Sequence, residues 1–485
     1  MPSNDINGDS LYLIQVANLC KGPAITCDPE VGLVELARIM RDHDVSGLVV
    51  VDANRPVGMV SLSDIRDFIA GSDGRLPAGR AADLMTPGVI SIRHRAPVFE
   101  AIFQMARHNI KRLAVVDEDG NLTGVVSDTD LLRLQTCTPL YLNQEIDAAQ
   151  SVAQLARVGA RIPDIVKNAS QAGASPRSLV ELIAHFNDTF TLRTIALMES
   201  VEGLYLPEGA AYLVLGSQGR GEQTLRTDQD SAIVYRDGLS ESQLAEIARF
   251  SSRLCDALDQ IGIPRCPGDT MASNPQWRRS LSDWKGLIDQ WVSVLKPDNM
   301  VNFGMFQDFR VLHGDPDFAR QLAEHIRSHV ERNALFLAYV ARHITGFTPP
   351  MGIFGRLRVE RRGKYRGQID LKKAGIFAIT EGASLLGLEA GIVNGTTWDK
   401  LERLQRQGIL SAADTEIFSE AMSYLVYLRL QSQLRSIAAG HELSNHVDPL
   451  LLTGKERDRL REAFRGVTAF LRQIREHFQL DLISR

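Results

Sequence analysis

The chain has 485 residues, 44% hydrophobic and 23% charged, with a formal net charge of −5. That is ordinary globular usage, long enough for about three domains, and the acidic balance argues against a general nucleic-acid binder while leaving room for a local basic groove. The opening MPSNDINGDS lacks the basic and apolar regions of a signal peptide, and no apolar run is long enough for a bilayer. Five scattered cysteines (Cys20, Cys27, Cys137, Cys255, Cys266) without CxxC spacing read as reduced thiols, so the expected location is cytoplasmic, with no membrane contact.

In chain order, the first feature is an internal repeat. Gly58-Met59-Val60-Ser61-Leu62-Ser63-Asp64 matches Gly124-Val125-Val126-Ser127-Asp128-Thr129-Asp130. Apolar strands are expected upstream, at 48–51 and 113–116. Each follows an amphipathic helix, near 31–43 and 97–109. Leu33, Leu36, Ala37 and Met40 recur at helical spacing in the first, and Ala101, Ile102, Met105 and Ala106 in the second. Each αββα unit is too small to bury its own apolar face, so the two should pack together. Ser61-x-x-Asp64 and Ser127-x-x-Asp130 are also helix N-cap signatures.

This repeat, with Asp83-Leu84-Met85-Thr86-Pro87 opening the second copy, resembles a tandem pair of cystathionine-β-synthase (CBS) domains over about residues 13–137. The resemblance implies a regulatory module that forms a homodimer and binds an adenine nucleotide. It places Ser61, Asp64, Ser127 and Asp130 at ribose and phosphate. An ionised Asp accepts hydrogen bonds from ribose hydroxyls, and a Ser at a helix N-terminus faces phosphate. The alternative is that the four residues only cap their helices.

Residues 140–205 predict helices, with one stripe at Ala148, Val152, Leu155 and Val158 and another at Leu179, Leu182, Ile183 and Phe186. Pro163 and Gly173-Ala174-Ser175-Pro176 punctuate them. The segment either carries a signal from the repeats or is a spacer.

The stretch 213–235, LVLGSQGRGEQTLRTDQDSAIVY, carries the chemistry. An apolar strand enters Gly216-Ser217, a polar loop follows, and Asp228 and Asp230 precede a second apolar strand. Residues i and i+2 of a strand share a face, so two carboxylates are presented together, the oxygen ligands a hard divalent cation takes. Gly216 lets backbone approach a phosphate, and Ser217 offers a hydroxyl and an N–H. A helix is expected over 240–261 and a strand around 305–312. In CPGDTMASNPQW, Cys266, Asp269, Asn274 and Trp277 either line a base or acceptor site or form a tight turn anchored by Trp277.

Gly-Ser followed by Asp-x-Asp between apolar strands resembles the polymerase-β-like nucleotidyltransferases. GSQGRGEQTLRTDQD is closest to the CBS-linked branch related to PII uridylyltransferase and glutamine synthetase adenylyltransferase. The resemblance covers nearly the whole chain. It implies two-metal catalysis, with two Mg²⁺ (or Mn²⁺) ions held by Asp228, Asp230 and a third carboxylate, Asp308, in Asp308-Phe309-Arg310. It also implies NTP phosphates held by Gly216, Ser217, Gly219 and Arg220, whose planar fork suits phosphate. Asp308 simply pairing with Arg310 or a surface lysine is the alternative. Glu222, Gln223 and Thr224 match without an evident role, and Ser231 stands where relatives often carry Asn.

The remainder reads as helices with one basic hairpin, Arg356, Arg358, Arg361, Arg362, Lys364 and Arg366 around Gly363. Asp370, Lys372, Lys373 and Gly375 partly echo a Lys-Gly-Gly-Ile stretch beside the nucleotide in relatives. The expected fold is multidomain, α/β and α: a tandem CBS pair (1–138), a helical connector (139–205), a polymerase-β-like nucleotidyltransferase α/β domain (206–330) and a mainly helical C-terminal domain (331–485). The expected function is nucleotidyl transfer from an NTP to a protein or small-molecule acceptor, regulated by the CBS pair, in the manner of uridylyl- or adenylyltransferase signalling. The alternative is a non-catalytic adenine-nucleotide sensor whose transferase-like domain binds a partner.

Overall fold

The computed structural model describes residues 15–20, 24–71, 79–108, 110–131, 139–330, 333–352 and 355–482. Cys137 and the side chains of Ile102 and Ala106 lie outside the described residues. The chain divides into two units, Met1–Tyr141 and Leu142–Arg485.

In the first unit the two repeats are built alike. Strand β1 (Thr26–Cys27) leads to helix α1 (Leu33–Asp42), which buries Leu33, Leu36 and Met40, one face at helical spacing. Strands β2 (Gly47–Asp52) and β3 (Arg55–Ser61) form a hairpin that enters α2 (Leu62–Ala70). After the short α3 (Ala81–Leu84) and β4 (Thr86–Pro87), the second copy repeats the pattern with β5 (Ser91–Arg93), α4 (Val98–His108), β6 (Arg112–Val116) and β7 (Leu122–Ser127). Both hairpins shift register at the same place, between Val50 and Val51 and between Val115 and Val116. The sheets run β1-β2-β3-β4 and β5-β6-β7. The copies touch where the Leu122 N–H donates to the Asn54 carbonyl at 3.0 Å and where Arg112 donates to Ser46.

The second unit is organised by a four-stranded sheet of order β10-β9-β8-β11. It comprises β8 (Ala210–Val214), β9 (Ser231–Tyr235), β10 (Arg278–Ser280) and β11 (Arg310–Gly314). Alternate residues of the central strands face two different cores. Ala211, Leu213, Ala232 and Val234 point one way, and Ala210, Tyr212, Val214 and Ile233 the other. Both faces are covered, so the strands read as unbroken apolar runs. One face is covered by the connector helices α5 (Pro139–Ala148), α6 (Val152–Gly159), α7 (Ile162–Gln171) and α8 (Pro176–Glu202), and by α10 (Glu241–Ile261). Ser175 caps α8, Pro176 takes its first turn, and Gly203 ends it at φ +63°.

The opposite core is continuous with the C-terminal helices, so from Leu142 onward the described parts of the three segments expected as connector, transferase domain and C-terminal domain lie in one unit. The helices on that side are α11 (Leu281–Ser293), α12 (Pro297–Phe306), α13 (Asp317–Val330), α14 (Ala334–Thr345), α15 (Phe377–Glu389), α16 (Thr397–Arg406), α17 (Ala412–Ala438) and α18 (Gly454–His477).

Two expectations are corrected. The strand expected around 305–312 begins only at Arg310, because Phe303 and Phe306 sit at helical spacing in α12 and pack on Phe336 and Trp284. The basic segment around Gly363 forms no strands. It is an exposed loop closed by backbone bonds between Glu360 and residues 367–368.

Candidate functional site

Strand β8 ends in Leu215, and Gly216 turns the chain at φ +51° into the single helical turn α9 (Gly216–Gly219). Asp228, Gln229 and Asp230 run into β9 in extended backbone, with Leu215 N–H donating to the Asp230 carbonyl at 3.0 Å. Gln229 is buried, and its amide donates to the carbonyls of Cys255 at 3.0 Å and Ile263 at 2.8 Å. Its inward turn sends Asp228 and Asp230 to the opposite face. An Asp230 carboxylate oxygen would lie 3.6 Å from a side chain added at Gly216, so the glycine turn lies directly beside that carboxylate. The Asp230 carboxyl is pushed up to about 6, first by burial and further by the Asp228 charge, against a hydrogen bond from Cys266 and the pull of Lys372.

Lys372 belongs to the stretch that partly echoes the relatives' Lys-Gly-Gly-Ile. It lies in a wide helical turn (Lys372–Ile376) capped by Asp370, whose Oδ1 accepts from the backbone N–H groups of Lys372 at 3.0 Å and Lys373 at 3.2 Å. Its ammonium is drawn below the usual lysine range by lost hydration, then by Arg429, with Asp230 and Asp228 opposing. Arg429 of α17 is lowered to about 10 by burial and bonds Asn445 at 2.8 Å. Two carboxylates from the sheet and two cations from the C-terminal helices therefore face one another. Gly375 is needed for that docking, since a side chain there would meet Leu425 at 2.6 Å.

The other expected site residues sit differently. Asp308 is 4% exposed and precedes β11 rather than lying in it. Its carboxylate accepts from Arg220 at 2.8 Å, from Ser384 at 3.1 Å and from Lys400. Burial alone would raise its pKa; Lys400 and Arg220 outweigh burial and hold it below the ordinary carboxylate range. Among the described residues, the only three metal-ligand side chains that converge closely are Asp289, His325 and His329, so Asp308 does not complete a ligand set with Asp228 and Asp230. Arg220 is turned inward onto Asp308 and Glu222, its side chain 10% exposed, and not toward open space where a phosphate would lie. Gly219 is pressed against the chain, where an added side chain would come within 1.7 Å of the Asp308 carbonyl oxygen. Arg310 pairs with Asp188 at 2.6 Å, not with Asp308.

Glu222, Gln223 and Thr224 receive roles that the sequence left blank. Glu222 accepts from the Thr397 N–H and hydroxyl at the start of α16. Gln223 accepts from Asn187 of α8 at 2.8 Å, and Thr224 accepts from Gln433 of α17 at 3.3 Å. The motif loop is thus pinned to three helices. Ser231 accepts from the Ala272 N–H at 3.1 Å. The loop after Cys266 is a tight turn. Asp269 has φ +54°, Asn274 bonds back to its carbonyl at 3.0 Å, and Trp277 is buried against Trp284 and Trp291.

Sequence reasoning missed Glu381, Ser384 and Lys400. Glu381 is the one charged residue of α15 before its last position, Glu389, a readable signal. It accepts from Gln307 at 3.0 Å, and burial pushes its carboxyl up to about 7, with Arg220 opposing and Asp308 adding to the rise. Lys400 gives no signal, because it reads as an ordinary lysine on an amphipathic helix. In the CBS unit Ser61 and Asp64 form a reciprocal capping box on α2, the Ser61 N–H donating to Asp64 at 2.7 Å. Ser127 and Asp130 repeat it, with the Ser127 N–H donating at 3.1 Å.

Three family descriptions match the chain: CBS domain at residues 16–71 and 81–136, "Putative nucleotidyltransferase DUF294" at 160–298, and "Putative nucleotidyltransferase substrate binding domain" at 334–478. Among curated proteins, an uncharacterized protein of Methanopyrus kandleri is 27% identical over 28% of this chain and 70% of its own length. An inosine-5′-monophosphate dehydrogenase of Korarchaeum cryptofilum is 32% identical over 34% of this chain and 32% of its own length. The chain spans about a third of that enzyme. Among solved structures, a CBS domain protein from Pyrobaculum aerophilum complexed with AMP is 30% identical, covering 25% of this chain and 99% of that one, with a TM-score of 0.23. No helix among the described residues is long and apolar enough to cross a membrane. With all three descriptions present in one chain and in this order, the protein belongs to the family that joins a CBS pair to a nucleotidyltransferase domain of the DUF294 type and its substrate-binding domain.

Proposed function

We propose that the second unit transfers a nucleotidyl group from an NTP to a protein or small-molecule acceptor, as the uridylyl- and adenylyltransferase relatives do, in the cytoplasm. The observation that carries this reading is the inward turn of Gln229, which leaves Asp228 and Asp230 side by side opposite Lys372. The pair suits Mg²⁺ or Mn²⁺, since both carboxylates are hard oxygen donors presented on one face. Bound there, the ion would neutralise triphosphate charge and make an attacking hydroxyl more acidic.

Gly216 and Ser217 line the approach for the terminal phosphates. Lys372 and Arg429 supply the cationic wall expected of Arg220, which braces Asp308 instead. Asp308 belongs to the frame that holds the motif loop, and the third-ligand role requires it to exchange Lys400 and Arg220 for metal. In the CBS unit, Asp64 and Asp130 are half-buried caps, and the proposal is that adenine nucleotide binds against these caps and that the CBS pair assembles as a homodimer. The non-catalytic reading draws on the occupied Asp308.

The test is transfer of label from α-³²P-ATP, UTP, CTP or GTP with Mg²⁺ and cell lysate. Wild type should label an acceptor, and Asp228→Ala with Asp230→Ala should abolish labelling while circular dichroism is retained. Undiminished labelling by the double variant would remove the proposed site, and no labelling by wild type with any donor would favour the sensor.

A further inference from the structure

Helices α11 and α13 bring together Asp289, His325 and His329, one ligand atom from each lying within 4.8 Å of the others. His325 and His329 are four residues apart, so they share one face of α13. Both Nε2 atoms point at the same carboxylate oxygen, Asp289 Oδ1, at 2.7 Å from His325 and 3.1 Å from His329. The two rings lie side by side, centroids 4.2 Å apart.

His329 Nδ1 lies 3.0 Å from the His325 carbonyl oxygen and 3.2 Å from the Ser328 hydroxyl. A backbone carbonyl at the other ring nitrogen is the usual way a metal-binding histidine is oriented. His325 Nε2 meets two acceptors, Asp289 and the Lys285 carbonyl at 3.2 Å.

The ligands stand on rigid supports. Ile288, Trp291 and Val292 flank Asp289 in the core, and Leu322, Ile326 and Val330 do the same for the histidines. Zinc binds imidazole nitrogen and carboxylate oxygen at about 2.0–2.1 Å, so donors around a tetrahedral ion lie about 3.3 Å apart. The two nitrogen–oxygen separations, 2.7 and 3.1 Å, lie within about 0.6 Å of that spacing. Side-chain exposures of 42% for Asp289 and 41% for His329 leave an entry path and room for water as a fourth ligand.

We propose that Asp289, His325 and His329 form a zinc-type metal site distinct from the Asp228–Asp230 pair. Helix α11 leaves edge strand β10, and α13 follows the opposite edge strand, β11. The ion therefore clamps the two helices that brace both edges of the sheet. Imidazole nitrogen selects Zn²⁺, Co²⁺ or Ni²⁺ over Mg²⁺, which separates this site chemically from the oxygen-only pair.

The test uses the full chain, stripped with chelator, in excess Mg²⁺, titrated with Co²⁺ and then Zn²⁺. Wild type should bind one Co²⁺ with visible absorption typical of nitrogen–oxygen ligands, displaced by one Zn²⁺, and Zn²⁺ should raise its melting midpoint by several degrees. His329→Gln and Asp289→Asn should each weaken binding at least tenfold and remove the midpoint shift. The metal-free midpoint of each variant shows that it folds. No Co²⁺ uptake by wild type would mean that a proton alone satisfies the cluster, overturning the proposal. Equal affinity in the variants, or an absorption band of sulfur ligation that survives them, would place the metal elsewhere and equally overturn it.

Discussion

Asp308 shows how one side chain sets the character of a site. Its carboxylate accepts from Arg220, Ser384 and Lys400 in a setting almost closed to water. Breaking a buried ion cluster from one side leaves uncompensated charge, so Asp308→Ala should cost about 3–5 kcal/mol in urea unfolding. Lys400→Met should cost clearly less, because Asp308 retains Arg220 and Ser384; equal losses would argue against the cluster. The folded Asp308 pKa is depressed, so its contribution is present above the ordinary carboxylate range and is lost as pH falls through the folded value. Glu381 has the opposite sign. Its carboxyl stands at about 7 against an ordinary 4.5, so the folded state holds a proton that the unfolded state has released between those values. Stability should therefore decline as pH rises from about 4.5 to 7, by an amount on the order of 1–3 kcal/mol. Glu381→Gln should flatten that slope in urea titrations at pH 5 and pH 8.

At the scale of elements, the decisive contact is between the turn α9 and the chain entering β11. The closeness of Gly219 to the Asp308 carbonyl oxygen is a contact of backbone with backbone, so no flexible side chain can yield. Gly219→Ala should lower the urea midpoint, with a loss of about 2–4 kcal/mol at unchanged slope. Gly221→Ala is the control: φ is +72° with open space around it, so only backbone strain of about 1 kcal/mol is expected. Similar losses for the two would mean that the close approach does not matter. The same packing explains Glu222, Gln223 and Thr224, whose bonds reach α16, α8 and α17 and fix the motif loop before any ligand arrives.

For the whole molecule, the proposal of regulation sets a condition. A ligand at the CBS pair alters transfer only if it binds two conformations of the chain with different affinity. Adenine nucleotide should shift transfer several-fold at saturating donor, corresponding to roughly 1–2 kcal/mol of coupling. The shift should vanish in the Asp64→Ala, Asp130→Ala pair and in a chain beginning near residue 140. Activity unchanged across AMP, ADP and ATP titrations of the full chain would end the regulatory reading even if calorimetry shows binding.

The sequence by itself determined what local pattern dictates. The repeated Gly-x-x-Ser-x-x-Asp determined two like hairpin–helix units, whose Ser and Asp cap the following helix. Gly216-Ser217 and the alternation through Asp228, Gln229 and Asp230 determined a paired-carboxylate face, because a period of two is a property of extended backbone alone. What surrounds that face was decided only by tertiary structure. Arg220 and Lys400 are 180 residues apart and meet on Asp308, and Lys372 and Arg429 come from separate helices to stand opposite the pair. Charged side chains follow no period that says whom they will meet. Their partners depend on how helices pack on the sheet, and that packing is fixed by apolar burial in which the charges take no part.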